Sequence, residues 1–330
     1  MRKFLKRFAL FVLLFVGVHI LLIVPVPADR NQYLQAYNHK IGLLQTTARP
    51  RLIFMGGSNT AFGISSPMIE DSLGLHVINF GLHGGIGIRY PMEDALQYIR
   101  RGDIVVLQIE YANYFGETCN AETMPKLMVA TGWRRAAHLR LAEWRAVIGG
   151  LPMLALGNLK RLVLWPFRGT LDTPVPTSHF KYTAGGFNAY GDEVSHLNFP
   201  STPHLYIRKK DLGPVDQGFC RWLRVCLKSY EQHGARIVML PPSCTESCLS
   251  ASYSADIAEA LRDIGYPYAV QPQEMTVADS LAFDSGYHLN AEGVRLNSQK
   301  IILILDGYIT RGYSRSCRAL SWTNASPCLP

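Results

Sequence analysis

Short apolar runs alternate with amphipathic segments in two parts of this chain. The apolar runs have the length of buried strands, at 51–58, 76–80, 103–109, 235–240 and 266–270. The amphipathic segments have helical spacing, at 66–73, 90–101, 215–234, 251–264 and 291–305. This alternation predicts a parallel sheet with right-handed crossovers and helices on both faces. We therefore expect an α/β domain over 51–310 with a flavodoxin-like, three-layer α/β/α arrangement.

The alternation is interrupted between about 116 and 212. Residues 133–167 are rich in Arg, Leu and Trp and poor in acids, which predicts one or two basic amphipathic helices broken near 149–152. Such a helical insertion either caps the α/β domain or lies with one face on the membrane or on a membrane partner. A loop-like stretch at 174–203 then carries polar candidates for substrate contact: Asn188, Asp192 and His196.

The N-terminus has the pattern of a membrane anchor. Four basic residues precede residue 8, and residues 8–28 carry no formal charge. A helix of this length measures about 30 Å, the thickness of the hydrocarbon layer. The basic residues predict a cytoplasmic N-terminus, a single-pass transmembrane helix at 1–30 and a body on the periplasmic side of the cytoplasmic membrane. A cleaved signal peptide ending near Ala28 is the alternative, and residues 31–50 would be a linker.

Composition and charge indicate which partners the protein can bind and in which compartment it folds. The 330 residues carry a net charge of +8, but no Lys/Arg run is interleaved with aromatics, so we expect a membrane surface and no nucleic acid. Seven cysteines suit an oxidising compartment, and Cys317 and Cys328 would close a small loop in the tail at 311–330. The cysteines lack zinc-finger spacing with histidine, so we expect no metal and no cofactor.

A candidate nucleophile follows the first predicted strand. Gly56 and Gly57 end the apolar run, and Ser58 comes directly after them. In an open α/β sheet, ligands bind at the carboxyl ends of the strands, where an exposed serine hydroxyl is available for attack. The alternative is that Ser58 only caps the helix that follows.

A base and an oxyanion hole have candidates at other predicted strand and helix ends. His288 lies just before the last helix, and Asp284 is near enough in sequence to hold its imidazole. The backbone N–H groups of Ser58 and Gly81 and the side chain of Asn113 are the candidate oxyanion donors. Further polar residues beside these positions are candidates for substrate contact: Asn59, Glu110 and Tyr111.

Three motifs, in this order, resemble the SGNH (GDSL-type) hydrolase superfamily. They are Gly-Gly-Ser-Asn at the first strand, Asn-Phe-Gly-Leu at the second, and Asp-Ser-Gly-Tyr-His-Leu-Asn before the last helix. The resemblance extends over about 50–115 and 213–306. It implies that Ser58 is the nucleophile, Gly81 an oxyanion donor and His288 the base.

The chain departs from that family pattern at two points. The family acid usually stands three residues before the histidine, where this chain has Ser285, and Asp284 stands one step earlier. The third family block, Gly-x-Asn-Asp, is absent at 110–113, where the chain reads Glu-Tyr-Ala-Asn. Asn113 is the nearest residue to the expected amide donor, and Glu110 either contacts substrate or forms a salt bridge.

Together with the anchor, the resemblance implies a serine esterase or O-acyltransferase. Its substrates would be acyl groups, in the first instance acetyl, on a cell-envelope or exported polysaccharide, and its partner a multi-spanning membrane acyltransferase. One alternative is a non-catalytic SGNH-like scaffold that binds polysaccharide or that membrane partner. Another is a lipid-directed lipase, which the basic insertion favours.

Overall fold

Four parallel strands form the central sheet. A computed structural model describes residues 1–116, 119–203, 213–249 and 251–315. The strands are β1 (Arg51–Gly56), β2 (His76–Asn79), β3 (Ile104–Gln108) and β4 (Arg236–Met239). Their order in the sheet is β2-β1-β3-β4, and every neighbouring pair is parallel. The α/β class and the parallel sheet are confirmed.

Two smaller pairings follow β4. Where the sequence predicts a fifth strand, Tyr268 forms a single parallel bridge to Met239. Two-residue strands, β5 (Cys244–Thr245) and β6 (Thr276–Val277), form a separate parallel pair.

Helices precede, connect and follow the strands. They are α1 (Arg2–Ile23), α2 (Ala36–Thr46), α3 (Ser58–Ala61), α4 (Ser66–Leu73), α5 (Arg89–Ala95), α6 (Met124–Thr131), α7 (Leu141–Arg168), α8 (Gln217–Gln232), α9 (Ala251–Asp263) and α10 (Ala291–Arg315). The predicted helix at 90–101 is shorter, because a 3-10 turn over Leu96–Tyr98 ends it. Cys317 and Cys328 lie outside the described residues.

The sheet is buried on both faces. Alternate residues of each strand enter two separate hydrophobic clusters, as strand geometry requires. Ile53 and Met55 of β1 pack in one cluster with residues of α2, α5, α8 and α9. Leu52 and Phe54 pack in the other with residues of α4 and α10. Burial on both sides is the reason that these strands read as continuous apolar runs.

The segment predicted as a linker contributes to this core. Tyr37, Ile41 and Leu44 of α2 are almost fully buried. Their spacing of four and three residues puts them on one face of the helix. Residues 36–46 therefore pack as part of the α/β domain.

The insertion contains one long helix, and the predicted break near 149–152 is wrong. Helix α7 is continuous over 28 residues and includes Pro152. Glycine and proline destabilise the interior of a helix, which is why the sequence predicted a helix end near 149–152. Close packing explains why residue 150 is a glycine, because a Cβ added to it would lie 1.8 Å from the carbonyl oxygen of Ala121. Tertiary contact therefore selects a residue that local propensity disfavours.

Two helices among the described residues are long and apolar enough to cross a membrane. They are α1, of 22 residues, and α7, of 28 residues, with mean hydropathies of 2.2 and 1.4. Only 6% of the apolar window of α1 is buried, and 22% of that of α7. An N-terminal helix compatible with a transmembrane or signal anchor is therefore present.

A buried ion pair joins the starts of β1 and β3. Arg51 donates to both carboxylate oxygens of Asp103, at 2.9 and 2.5 Å. The same guanidinium donates to the carbonyl oxygens of Leu44 and Tyr98, at 2.6 and 3.0 Å. Both charged groups are almost fully buried, so each depends on the other for compensation.

We expect Arg51→Met to lower the free energy of unfolding by about 3–5 kcal/mol, because it leaves the carboxylate of Asp103 buried and unpaired. Denaturant titration of the detergent-solubilised protein measures this change. Arg295→Met is the matched control, since it removes an exposed ion pair with Glu292, and we expect no measurable change there. Equal stability of the two variants would contradict the prediction.

Candidate functional site

Ser58 and His288 open into one cavity of about 280 Å³. Ser58 begins α3, directly beyond the carboxyl end of β1. His288 comes from the segment before α10, more than two hundred residues away in the chain. Tyr33, Phe62 and His83 also line this cavity. The structure therefore brings the predicted nucleophile and the predicted base to the same space.

Asp284 holds the imidazole of His288. Its Oδ1 atom lies 2.6 Å from Nδ1 of the histidine. The backbones of Phe283 and His288 pair at 2.7 Å, which closes a turn over the residues between them. That turn lets an acid four residues before the histidine reach Nδ1, so the shifted position of Asp284 does not prevent the pairing. With Nδ1–H donated to the carboxylate, Nε2 is the nitrogen available to take a proton.

Two aromatic residues that the sequence did not reveal complete this support. The ring of Phe62 stacks on His288, with centroids 4.2 Å apart and planes 17° apart. The hydroxyl of Tyr182 donates to Asp284 and lies 3.2 Å from Nδ1 of His288. Burial would raise the pKa of Asp284, but the hydrogen bond and charge of His288, with the hydroxyl of Tyr182, hold that pKa below its ordinary value. The carboxylate therefore stays ionised beside the imidazole.

The hydroxyl of Ser58 bonds to Glu110 in this structure. Its Oγ donates to Glu110 Oε1 at 3.2 Å, and the N–H of Asn59 donates to the same oxygen at 3.2 Å. A Cβ added to Gly57 or Gly84 would lie 2.3 or 2.5 Å from the carboxylate oxygens. A side chain at either position would therefore displace the carboxylate from this place. Among the described residues, no hydrogen bond joins Ser58 to His288.

Two of the predicted oxyanion donors already form hydrogen bonds within the protein. The N–H of Gly81 donates to Asn79 Oδ1 at 3.0 Å. The amide of Asn113 accepts from Ile88 N at 3.1 Å and donates to the carbonyl of Glu110 at 3.2 Å. The N–H of Gly81 is therefore not free to bind an oxyanion, whereas the Asn113 amide uses one of its two N–H groups. The N–H of Ser58 has no acceptor among the described residues.

His83 supplies a donor that sequence reasoning missed. Its Nδ1 accepts a hydrogen bond from Gly85 N at 2.9 Å, which leaves the ring proton of the neutral form on Nε2. Burial, and then the nearby His288, lower the pKa of His83 and favour that neutral form. The signal in the sequence was the position of His83 in the glycine-rich turn after β2. A neutral imidazole with a free N–H can stabilise a developing oxyanion.

Two candidates for substrate contact are buried, and a third is bonded within its own turn. The side chain of Asn59 bonds to the backbone of Gly57 and Gln108. Tyr111 is buried, and its backbone N–H lies 3.4 Å from the hydroxyl of Tyr287. The side chain of Asn188 bonds within its own turn, to Tyr190 and Asp192.

Asp192 and His196 belong to a buried polar network rather than to the cavity. Asp192 accepts hydrogen bonds from the backbone and hydroxyl of Ser66 and from Asn79. His196 pairs with Glu193 through Nδ1 at 2.5 Å and reaches the carbonyl of Leu289 through Nε2 at 2.9 Å. These bonds join the 186–196 loop to β2 and to Leu289, the residue after His288.

A larger cavity adjoins the first. It measures about 510 Å³ and shares Gln32, Tyr33, Lys126 and Tyr182 with the cavity at Ser58. Five cationic side chains line it: Lys126, Lys160, Arg161, Arg168 and Lys181. One acid, Asp29, lines it as well. We call this cavity the basic groove.

No protein-family model, curated protein or solved structure matches this chain.

Lys40 joins the 186–196 loop to the end of β2. Its Nζ is fully buried and donates to the carbonyl oxygens of Asn79, at 2.9 Å, and of Gly191. Burial lowers the pKa of Lys40 to about 7, against the opposing attraction of Asp192 and Glu193. The protonated form is therefore costly in the folded protein.

We expect the wild type to gain about 2 kcal/mol of unfolding free energy relative to Lys40→Met between pH 7 and pH 9. Over this range the unfolded chain binds more protons at the lysine than the folded protein does, so stability rises with pH. Denaturant titrations at the two pH values measure the difference. Lys228→Met, at an exposed lysine of α8, is the control and should follow the wild type. A Lys40→Met variant that also followed the wild type would contradict the prediction.

Proposed function

We propose that this protein is an SGNH-type serine esterase or O-acyltransferase. The observation that carries the proposal is the shared cavity of Ser58 and His288, with Asp284 bound to the far nitrogen of the imidazole. A serine and a histidine at one cavity, with a carboxylate bound to the histidine, are the parts of acyl-transfer catalysis. The motif order in the sequence supports the same conclusion.

In the proposed reaction, rotation of the Ser58 side chain turns its hydroxyl from Glu110 towards His288. Oγ attacks the acyl carbonyl carbon while Nε2 of His288 takes the hydroxyl proton. The oxyanion accepts hydrogen bonds from Ser58 N–H and from Nε2–H of His83. Collapse breaks the ester bond, and the leaving alcohol takes the proton from His288. Water or a sugar hydroxyl then attacks the acyl-serine by the same steps, which gives hydrolysis or transfer.

We further infer the setting of this chemistry. A three-layer, flavodoxin-like arrangement is supported by two hydrophobic clusters on opposite faces of a sheet with the order β2-β1-β3-β4. A retained anchor with the domain on the periplasmic side is supported by the basic residues before α1. Acyl groups of a cell-envelope polysaccharide, presented beside a membrane acyltransferase, are the substrates that the family resemblance suggests.

We expect Ser58→Ala to abolish turnover of p-nitrophenyl acetate and covalent labelling by a serine-directed fluorophosphonate, because the nucleophilic oxygen is gone. Absorbance assays and mass spectrometry of the labelled peptide measure these effects on the full chain. Ser72→Ala, at an exposed serine of α4, should keep both activities. Unchanged turnover in a folded Ser58→Ala protein would refute the esterase proposal.

We expect His83→Ala to lower kcat about 10²–10³-fold with a smaller change in KM, since it removes a donor to the oxyanion. His83→Gln keeps an N–H donor and should retain more of kcat than His83→Ala. Steady-state kinetics on the same ester measure both variants, and His76→Ala, at an exposed histidine, is the control. Equal kcat values for His83→Ala and the wild type would remove His83 from the oxyanion hole.

The hydrogen bond from Ser58 to Glu110 favours a second candidate, a non-catalytic scaffold. A carboxylate that holds the serine hydroxyl and repels a neighbouring oxyanion suits binding better than catalysis. A scaffold would show neither ester turnover nor fluorophosphonate labelling in the wild type. It would also retain the same polysaccharide or membrane partner in the Ser58→Ala variant.

A further inference from the structure

The outward face of α7 is an apolar stripe exposed to the surroundings. Ile148, Leu156, Leu159, Val163 and Phe167 are each exposed by between 43 and 85%. Their spacing follows the period of the helix, so they share one side and extend over about 30 Å. A stripe of this length is larger than the scattered apolar side chains of an ordinary soluble surface.

The opposite face of α7 is committed to the folded domain. Glu143, Val147, Gly150 and Asn158 are buried along it. Gly150 packs directly against Ala121 and Pro125. Helix α7 therefore cannot leave the domain to cross a bilayer by itself, and only its outward face is available to another surface.

Helix α1 continues the same apolar surface. Asn158 Nδ2 donates to the carbonyl of Leu22 at 2.9 Å, and Arg161 Nη2 donates to the carbonyl of Pro27 at 2.7 Å. These bonds join α7 to the end of α1. Phe15 and Ile20 of α1 and Ile148 of α7 line one shared apolar cavity. The outward face of α7 thus adjoins α1, which has the pattern of a membrane anchor.

Positive charge gathers at the end of this surface. Lys160 and Arg168 of α7 are exposed and have no carboxylate partner among the described residues. Both side chains line the basic groove, and Arg161 of the same groove carries a third charge. Cations beside an apolar helix face suit the phosphate groups at the surface of a bilayer.

We propose that the outward face of α7 is immersed in a phospholipid bilayer beside α1. The cations of the helix meet the lipid phosphates. The basic groove then opens at the lipid surface, next to the cavity of Ser58. This surface does not depend on the proposed catalysis, since it would also hold a scaffold against the membrane.

The test uses the full chain, reconstituted in vesicles of phosphatidylethanolamine and phosphatidylglycerol. A photoreactive benzoylphenylalanine replaces Leu156 or Val163 of α7. The matched control replaces Leu303, which is 76% exposed on α10. This helix packs on the other face of the sheet, in the hydrophobic cluster that contains Leu52 and Phe54. All three positions are exposed, so the substitutions leave the core intact. Thermal unfolding of each variant verifies this before irradiation.

We expect lipid adducts at Leu156 and Val163 to exceed those at Leu303 at least about tenfold, as quantified by mass spectrometry. Adduct yields at the α7 positions equal to that at Leu303 would overturn the proposal. Irradiation in native membranes provides the second arm. Cross-linking of the α7 positions mainly to a second protein, or to a second copy of this chain, would also overturn it.

Discussion

Burial of the central sheet on both faces is the constraint on which the rest of this structure depends. Alternate residues of β1 and β3 enter two different hydrophobic clusters, so neither face can carry a polar side chain at low cost. Polar chemistry is therefore confined to the ends of the strands. The buried pair of Arg51 and Asp103 joins β1 and β3 at their starts. Ser58 and Glu110 meet beyond the carboxyl ends of the same two strands.

At that end of the sheet, two carboxylates have different roles in the proposed reaction. Asp284 binds the imidazole of His288, and Glu110 holds the hydroxyl of Ser58. In the proposed reaction, the first arrangement prepares the base, and the second keeps the Ser58 hydroxyl away from it until substrate binds. A substrate that displaces the Ser58 hydroxyl from Glu110 would complete the catalytic contact. The two proposed functions differ in whether this change happens.

Helix α7 of the insertion has to satisfy two opposed requirements. The inner face of α7 packs on α6 and the preceding turn, while the outer face exposes apolar side chains beside α1. Gly150 meets the first requirement, and the stripe from Ile148 to Phe167 meets the second. Lys126 and Tyr182 line both the basic groove and the cavity at Ser58, so the two spaces adjoin.

The sequence by itself determined the α/β class, the positions of the four central strands and the pairing of Asp284 with His288, because these depend on local periodicity and short spacing. Tertiary structure alone decided the contacts of Phe62, Tyr182 and His83, since these residues reach the cavity from separate parts of the chain. It also turned Asn59, Asp192 and His196 inwards, where buried partners satisfy their polar atoms. Helix α7 continues through Pro152 for the same reason: packing energy, which no local pattern records, outweighs intrinsic propensity.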